Sequence, residues 1–283
     1  MKTILVPFDF SPEAENAFDF AKQLASKAKC RLKMIHVIEI HASQSFNTVG
    51  EVNLGDNEMN KVFMVELVQK RKEQMAEINQ RYENAEFDFS SRIVFGNPYA
   101  GISNEVTEIK ADLIIMGSKG SSGLEELLIG SNTEKVVRHS KCPVITIKGA
   151  VKADNIRKIV FASDFEDEDE NIMHELKQLQ RLLGAEICLV KINTPSLFET
   201  SKDTKARISK FVEKQGLHNI RVEIHNSSSE EEGIIEYAEE VGADMIAMAT
   251  HGRTGFMHLI SGSIAEDVVN HAKRPVWTMR KKK

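Results

Sequence analysis

The chain has 283 residues, of which 41% are hydrophobic and 28% are charged, and its formal net charge is −5 at pH 7. This composition excludes a disordered chain, and the mild negative charge gives no overall attraction to nucleic acid or to anionic lipid. No apolar run approaches the roughly 20 residues of a membrane helix, so we expect no membrane contact, and the strand-like N-terminus predicts no signal peptide.

The first half alternates short apolar runs with helical patterns. Strands are expected at 4–8, 32–38, 87–95, 113–116 and 144–148. Helices are expected after Ser11-Pro12 and Asn97-Pro98, and over residues 61–82 and 133–139. Residues 40–60 are polar and rich in Asn, Ser and Gly, which predicts a long loop. Such a loop at the edge of a ligand cleft is expected to close over the ligand.

The same pattern occurs twice. KTILVPFDF near the start recurs as RKIVFASDF 155 residues later, and ADLIIMGSKG and CPVITIK recur as ADMIAMATHG and RPVWTMR 132 residues later. The change of offset indicates an insertion of about 23 residues in the first copy, roughly at residues 40–60. Strands of the second copy are expected at 159–162, 187–192, 222–225, 245–249 and 276–279. We therefore predict two tandem, doubly wound α/β domains, residues 1–150 and 151–283, each with a five-stranded parallel sheet.

The last strand of each copy is preceded by a proline, Pro143 or Pro275, and is apolar on both faces. An edge strand of this kind favours pairing with another strand. A short linker makes pairing between the two copies effectively intramolecular. The sequence therefore predicts a pseudo-dimer of the two domains within one chain. It leaves open whether two chains also form a homodimer.

A glycine signature follows the fourth strand of the first copy. It consists of Gly117 and Gly120, then nine residues, then Gly130-Ser131 at the start of a helix. Glycines let backbone N–H groups approach an anion, and a helix N-terminus favours phosphate. Ser131 and Glu134 also have the spacing of a capping box, which would satisfy the helix without any ligand.

With these motifs and the VPFD opening, the chain resembles the universal stress protein family in its tandem form. The resemblance implies an adenine nucleotide alpha hydrolase-like, Rossmann-like fold. It implies that ATP, with or without Mg²⁺, binds at the carboxyl ends of the first and fourth strands. It implies adenine and ribose contacts from Asp9 and the backbone of Val37. It implies ribose and phosphate contacts from Gly117, Gly120, Gly130, Ser131 and Asn132. Lys119 departs from the fixed pattern, but its charge would screen phosphate.

The second copy departs from the signature, because Ala249 stands where the first glycine is expected. It keeps Asp164, Gly252, Gly262 and Ser263. Six carboxylates within residues 164–170 would repel a phosphate. We therefore expect the second site to be weaker or empty.

No metal-ligand spacing and no catalytic triad or Walker lysine is present, so we expect neither a metal site nor catalytic residues. Three cysteines outside any CxxC spacing favour a reducing cytoplasm. The leading hypothesis is a cytoplasmic, ATP-binding regulator of stress responses with an unidentified protein partner. The alternatives are a nucleotide-independent interaction scaffold and a slow ATPase.

Overall fold

The computed structural model describes residues 1–39, 45–46, 52–53, 58–118, 129–166, 170–250 and 264–281. Residues 1–150 contain β1 (Thr3–Pro7), α1 (Pro12–Ala28), β2 (Arg31–Glu39), β3 (Ser45–Phe46), β4 (Val52–Asn53), α2 (Glu58–Arg81), β5 (Phe89–Gly96), α3 (Pro98–Ile109), β6 (Leu113–Gly117), α4 (Ser131–His139) and β7 (Val144–Ile147). The remaining residues contain β8 (Lys158–Ala162), α5 (Glu170–Leu183), β9 (Glu186–Asn193), α6 (Ser201–Gln215), β10 (Ile220–Asn226), α7 (Glu230–Glu240), β11 (Met245–Thr250), α8 (Ile264–His271) and β12 (Val276–Arg280). None of the helices within these ranges is long and apolar enough to span a membrane.

Ten of the strands form one sheet in the order β10-β9-β8-β11-β12-β7-β6-β1-β2-β5. Neighbouring strands are parallel except β7 and β12, which are antiparallel. Each half therefore contributes five parallel strands, connected by helices, as the alternating pattern predicts. The predicted fold class, two tandem doubly wound α/β units, is confirmed.

The junction of β7 and β12 has the register of a two-fold axis. Ile145 lies opposite Trp277, its own equivalent in the repeat, and Thr146 lies opposite Val276, the equivalent of Val144. Identical surfaces related by a two-fold axis pair in this reciprocal way. The Thr146 hydroxyl also donates to the Val276 carbonyl at 3.3 Å. The two edge strands thus pair within one chain, as their apolar faces predict.

One hydrophobic cluster passes through both halves on the sheet face that α1 and α5 cover. Ile145 and Trp277 belong to it, together with apolar residues of both helices. A hydrogen bond also joins the two halves here, since the N–H of Ala153 donates to the Gln23 side chain at 2.8 Å. On the opposite face each half has a cluster of its own. The continuous core that the two halves share therefore lies on the face of α1 and α5, while on the opposite face Ile129 of the first half packs against the cluster of the second.

The region between β2 and β5 differs from the predicted long loop. Its described parts contain the antiparallel hairpin β3–β4, and α2 begins at Glu58 rather than at residue 61. Residues 40–44, 47–51 and 54–57 lie outside the described residues, and so does the predicted closure of this segment over a ligand.

Candidate functional site

The chain leaves the sheet at the end of β1 and turns sharply into α1. The N–H of Phe8 still donates to the Ile35 carbonyl of β2 at 2.8 Å. The half-buried Asp9 then accepts two hydrogen bonds from Ser11, from its N–H at 3.0 Å and from its hydroxyl at 2.5 Å. Ser11 in turn accepts from Ala14 N–H at 3.2 Å, as the predicted N-cap of α1. These bonds fix the carboxylate of Asp9 at the carboxyl edge of the sheet.

Val37 lies on β2 at the level where β1 has already left the sheet. Odd-numbered residues of β2 turn their backbone groups toward β1, since Arg31 N–H donates to Lys2 at 2.9 Å and the Ile35 carbonyl accepts from the end of β1. The N–H and C=O of Val37 therefore face the gap beyond β1. Its side chain packs under α3, where a Cβ on Gly101 would lie 3.1 Å from it. The backbone of Val37 is thus directed away from the sheet's own hydrogen bonds on the side of β1.

Gly117 ends β6 directly against the first turn of α1. A Cβ at this position would lie 2.9 Å from two atoms of Glu13 and 3.1 Å from the backbone nitrogen of Ala14. Glycine is required here by close packing, since only glycine lacks that atom. In the second half the equivalent residue is Ala249.

Replacing Gly117 with alanine should therefore displace the first turn of α1 and lower the free energy of unfolding by about 1–3 kcal/mol. Urea denaturation of the variant measures this loss. Gly149→Ala is a matched control, because a Cβ at Gly149 would meet nothing within 4 Å. Equal stability of the two variants would contradict the packing described here.

Three hydrogen bonds hold the end of β6, the start of α4 and the end of β7 together. Gly130 N–H donates to the Ser118 carbonyl at 2.8 Å, and Ser118 N–H donates to the Ile147 carbonyl at 2.9 Å. The Thr133 hydroxyl donates to the Gly117 carbonyl at 3.1 Å. The start of α4 is thereby held beside the end of β6, one strand away from Asp9.

The predicted capping box at the start of α4 is wrong. Gly130 is the N-cap, Ser131 is the first helical residue, and no side chain caps the helix. The Glu134 carboxylate binds Arg138 one turn later, at 2.9 Å, instead of turning back to the N-terminus. The N–H groups of the first turn therefore keep the capacity to bind an anion.

Three side chains that the sequence did not indicate, those of Phe10, His36 and Arg71, pack together beside the end of β1. Phe10 has a left-handed backbone (φ 66°), and the guanidinium of Arg71 from α2 lies 4.3 Å from the centre of its ring. The ring of His36 meets Phe10 edge-on at 4.9 Å, and its Nδ1 lies 2.7 Å from the Phe8 carbonyl. Phe165, the equivalent of Phe10 in the second half, also has a left-handed backbone (φ 58°). The chain therefore turns in the same way after the first strand of each half. No sequence motif connects Arg71 with this site, because Arg71 lies on α2, which follows the insertion and is far from the signature residues in sequence.

Burial lowers the pKa of His36, against the opposing effect of its bond to the Phe8 carbonyl. Arg71 also lowers this pKa, and Asp9 raises it. In the unfolded chain the pKa returns to about 6.5. Below that pH the unfolded state binds more protons than the folded state, so stability is lost as the pH falls through about 6.5.

His36→Gln should remove this part of the acid sensitivity. We expect the free energy of unfolding of the variant to fall less than that of the wild type between about pH 7.5 and about pH 5.5. Denaturant titrations at the two pH values measure the difference. Identical losses in both proteins would exclude His36 as the source.

The second half has the same turn after its first strand, β8, but different side chains around it. Asp164 accepts from Glu166 N–H at 3.1 Å, as Asp9 does from Ser11. Lys191, which is 5% exposed, occupies the position of His36. Arg207 lies 3.9 Å from the Glu166 carboxylate and also binds Glu199, so part of the acidic character is neutralised.

The predicted site residues thus fall into two groups, those that the structure describes, including Asp164 just after β8, and those that it does not. The structure places Asp9, Val37, Gly117, Gly130, Ser131 and Asn132 at the ends of the adjacent strands β1, β2 and β6 and at the start of α4. Five others lie outside the described residues: Lys119, Gly120, Gly252, Gly262 and Ser263. The described part of the chain contains no group of three or more His, Cys, Asp or Glu side chains that could hold a metal ion.

Comparison with known proteins finds the universal stress protein family at residues 1–148 and again at residues 155–280. A universal stress protein of Synechocystis is 26% identical over 298 residues, covering 99% of this chain and all of that protein. One of Methanocaldococcus jannaschii is 33% identical over 153 residues, covering 52% of this chain and 94% of that protein. The crystal structure of a universal stress protein from Archaeoglobus fulgidus has the same fold, with a TM-score of 0.76 at 22% identity, covering 99% of this chain and 98% of that one.

Proposed function

Because the chain belongs to the universal stress protein family, we propose that it is a stress-response regulator that binds one adenine nucleotide, ATP, in its N-terminal half. The observation that carries this proposal is the start of α4, which follows Gly130 without a side-chain cap beside the end of β6. The amides and dipole of such a helix end attract phosphate. The gap between β1 and β6 is also the point where the strand order of this half reverses, which is where open α/β sheets bind ligands.

Each predicted residue has a role in this proposal. The Val37 backbone would bind the adenine edge, and Asp9 would accept hydrogen bonds from the adenine and ribose side. The close approach at Gly117 would keep the floor of the cleft open. The phosphate would be held by Gly120, Gly130, Ser131 and Asn132, and by the charge of Lys119. Arg71, held on Phe10, adds a second cation on the α2 side.

Mg²⁺ would enter with the phosphates rather than on a set of protein ligands, since magnesium keeps most of its water and binds nucleotide phosphates readily. The chain's own contribution is to bind and orient the nucleotide. We propose no catalytic residues.

The second half is proposed to bind nucleotide weakly or not at all. Its site would use Asp164, Gly252, Gly262 and Ser263, but the acidic residues 164–170 would repel an incoming phosphate. Ala249 in place of the first glycine would not by itself exclude a nucleotide. We propose that this half acts mainly as the structural partner of the first.

A cytoplasmic location is proposed from the cysteines. Cys30, Cys142 and Cys188 are free and buried, and burial raises the pKa of the Cys142 thiol to about 11. Inert, unpaired thiols are typical of proteins in a reducing compartment.

Calorimetric titration with ATP, with GTP in parallel, tests the proposed function. We expect saturable binding of one ATP per chain and weaker binding of GTP, because the Val37 backbone would read the adenine edge. Absence of binding, together with no nucleotide released on denaturing the native protein, would favour the interaction scaffold. Phosphate release above the spontaneous rate, lost in Asp9→Ala, would instead favour the slow ATPase.

A further inference from the structure

A helix of the C-terminal half contacts the proposed phosphate-binding turn of the N-terminal half, which is Ile129–Gly130 at the entry to α4. The N–H of Ile129 donates to Oδ1 of Asn270, on α8, at 2.8 Å. Ile129 immediately precedes Gly130, and its side chain packs against the apolar cluster of the C-terminal half. The carbonyl of Asn270 in turn accepts from the Lys148 ammonium. The turn is therefore held from outside its own half.

The same helix also holds the far end of α4. Arg138 Nε donates to the Glu266 carboxylate at 2.6 Å, and its Nη2 binds the other oxygen of that carboxylate. Glu266 is 5% exposed, so the carboxylate of this bidentate pair is buried, while the Arg138 side chain is partly exposed. The hydrogen bond to Glu266 raises the pKa of Arg138. With Ile129 held by Asn270, α8 contacts α4 at both of its ends.

This support cannot be reciprocal between the halves. Asn270 is the repeat equivalent of Arg138, 132 residues later. An amide oxygen accepts a backbone N–H, whereas a guanidinium has donors only. Arg138 therefore cannot hold the turn of the second half as Asn270 holds the turn of the first. The pseudo-two-fold symmetry is broken at this pair of positions.

We propose that Asn270 is a positioning residue for the phosphate-binding turn of the N-terminal half. The C-terminal half, whose own signature is altered, thus supports the first site through α8. By linkage, nucleotide bound at that turn also strengthens the contact between α4 and α8. This inference rests on the proposed function, because it takes the turn before α4 to be the phosphate site.

The test compares Asn270→Leu, which removes the acceptor, with Asn270→Asp, which keeps an oxygen at that position. Without nucleotide, the amide of Ile129 should exchange with solvent at least roughly tenfold faster in Asn270→Leu than in wild type. ATP affinity of this variant should fall roughly three- to tenfold, the usual effect of one lost hydrogen bond. Asn270→Asp should keep the wild-type exchange rate, because its carboxylate still accepts the Ile129 N–H; its ATP affinity is not used in the comparison, since the added charge would itself repel phosphate. His271→Ala, on the same helix, should change neither.

Wild-type exchange and affinity in Asn270→Leu would overturn the inference. Faster exchange with unchanged ATP affinity would overturn it as well, because the bond would then be structural only. If the wild type binds no ATP, the proposed function fails, and the nucleotide role of Asn270 fails with it. The exchange measurement on the nucleotide-free protein then still decides whether α8 holds the turn.

Discussion

Replacing Trp277 with alanine should lower the free energy of unfolding by about 3–5 kcal/mol. Trp277 is 1% exposed and lies opposite Ile145 at the junction of β7 and β12. It also belongs to the apolar cluster that both halves share. Its removal would leave a cavity where the two halves meet, and neighbours anchored in a ten-stranded sheet have little freedom to fill it.

Urea unfolding followed by circular dichroism measures this effect. Two controls set its scale: Ile145→Val should cost only about 0.5–1.5 kcal/mol, and Leu197→Ala, at an exposed position, less than about 0.5 kcal/mol. Because the core is continuous, the wild type should unfold in one transition. Two separate transitions, with only the second moved by Trp277→Ala, would contradict a shared core.

Replacing Gly130 with aspartate should weaken ATP binding at least tenfold while leaving the fold intact. Gly130 is the N-cap of α4 with φ −62°, a conformation that aspartate adopts and a position where it is favoured. The new carboxylate would bind the same first-turn N–H groups that the phosphate needs. It would also repel the phosphate by roughly 1–4 kcal/mol at short range, which corresponds to about tenfold or more in affinity.

Calorimetry on Gly130→Asp, Gly130→Asn and Gly262→Asp separates the contributions. Asparagine caps the helix without a charge, so the difference between the two Gly130 variants reports the repulsion alone. Gly262→Asp places the same change in the second copy and should leave ATP affinity near the wild-type value. Equal losses from Gly130→Asp and Gly262→Asp would contradict the proposed preference for the N-terminal half.

Much of the architecture follows from local sequence, because strands buried on both faces read as short apolar runs. The edge pairing also follows, since Val144–Ile147 and its repeat are apolar on both faces, as strands in the middle of a sheet are. The N-cap of α1 at Ser11 was predicted for the same local reason. The division at residue 150 and the roles of the signature residues stay predictions.

The features that sequence reasoning missed depend on distant contacts or on small shifts in helix boundaries. Ser131 lies one position inside α4, so its hydroxyl cannot serve as the N-cap. Arg71 reaches Phe10 from a helix that follows the insertion. Asn270 contacts a backbone N–H 141 residues away, and no periodicity in the chain marks that pair. Such contacts are set by how whole elements pack, which a local pattern does not encode.

A structure determined from crystals grown with ATP tests the central claim most directly. The account predicts one nucleotide at the carboxyl edge of β1 and β6, with its base beside Val37 and its phosphates at the start of α4. A nucleotide found only at the carboxyl edge of β8 and β11, beside Asp164, would contradict it.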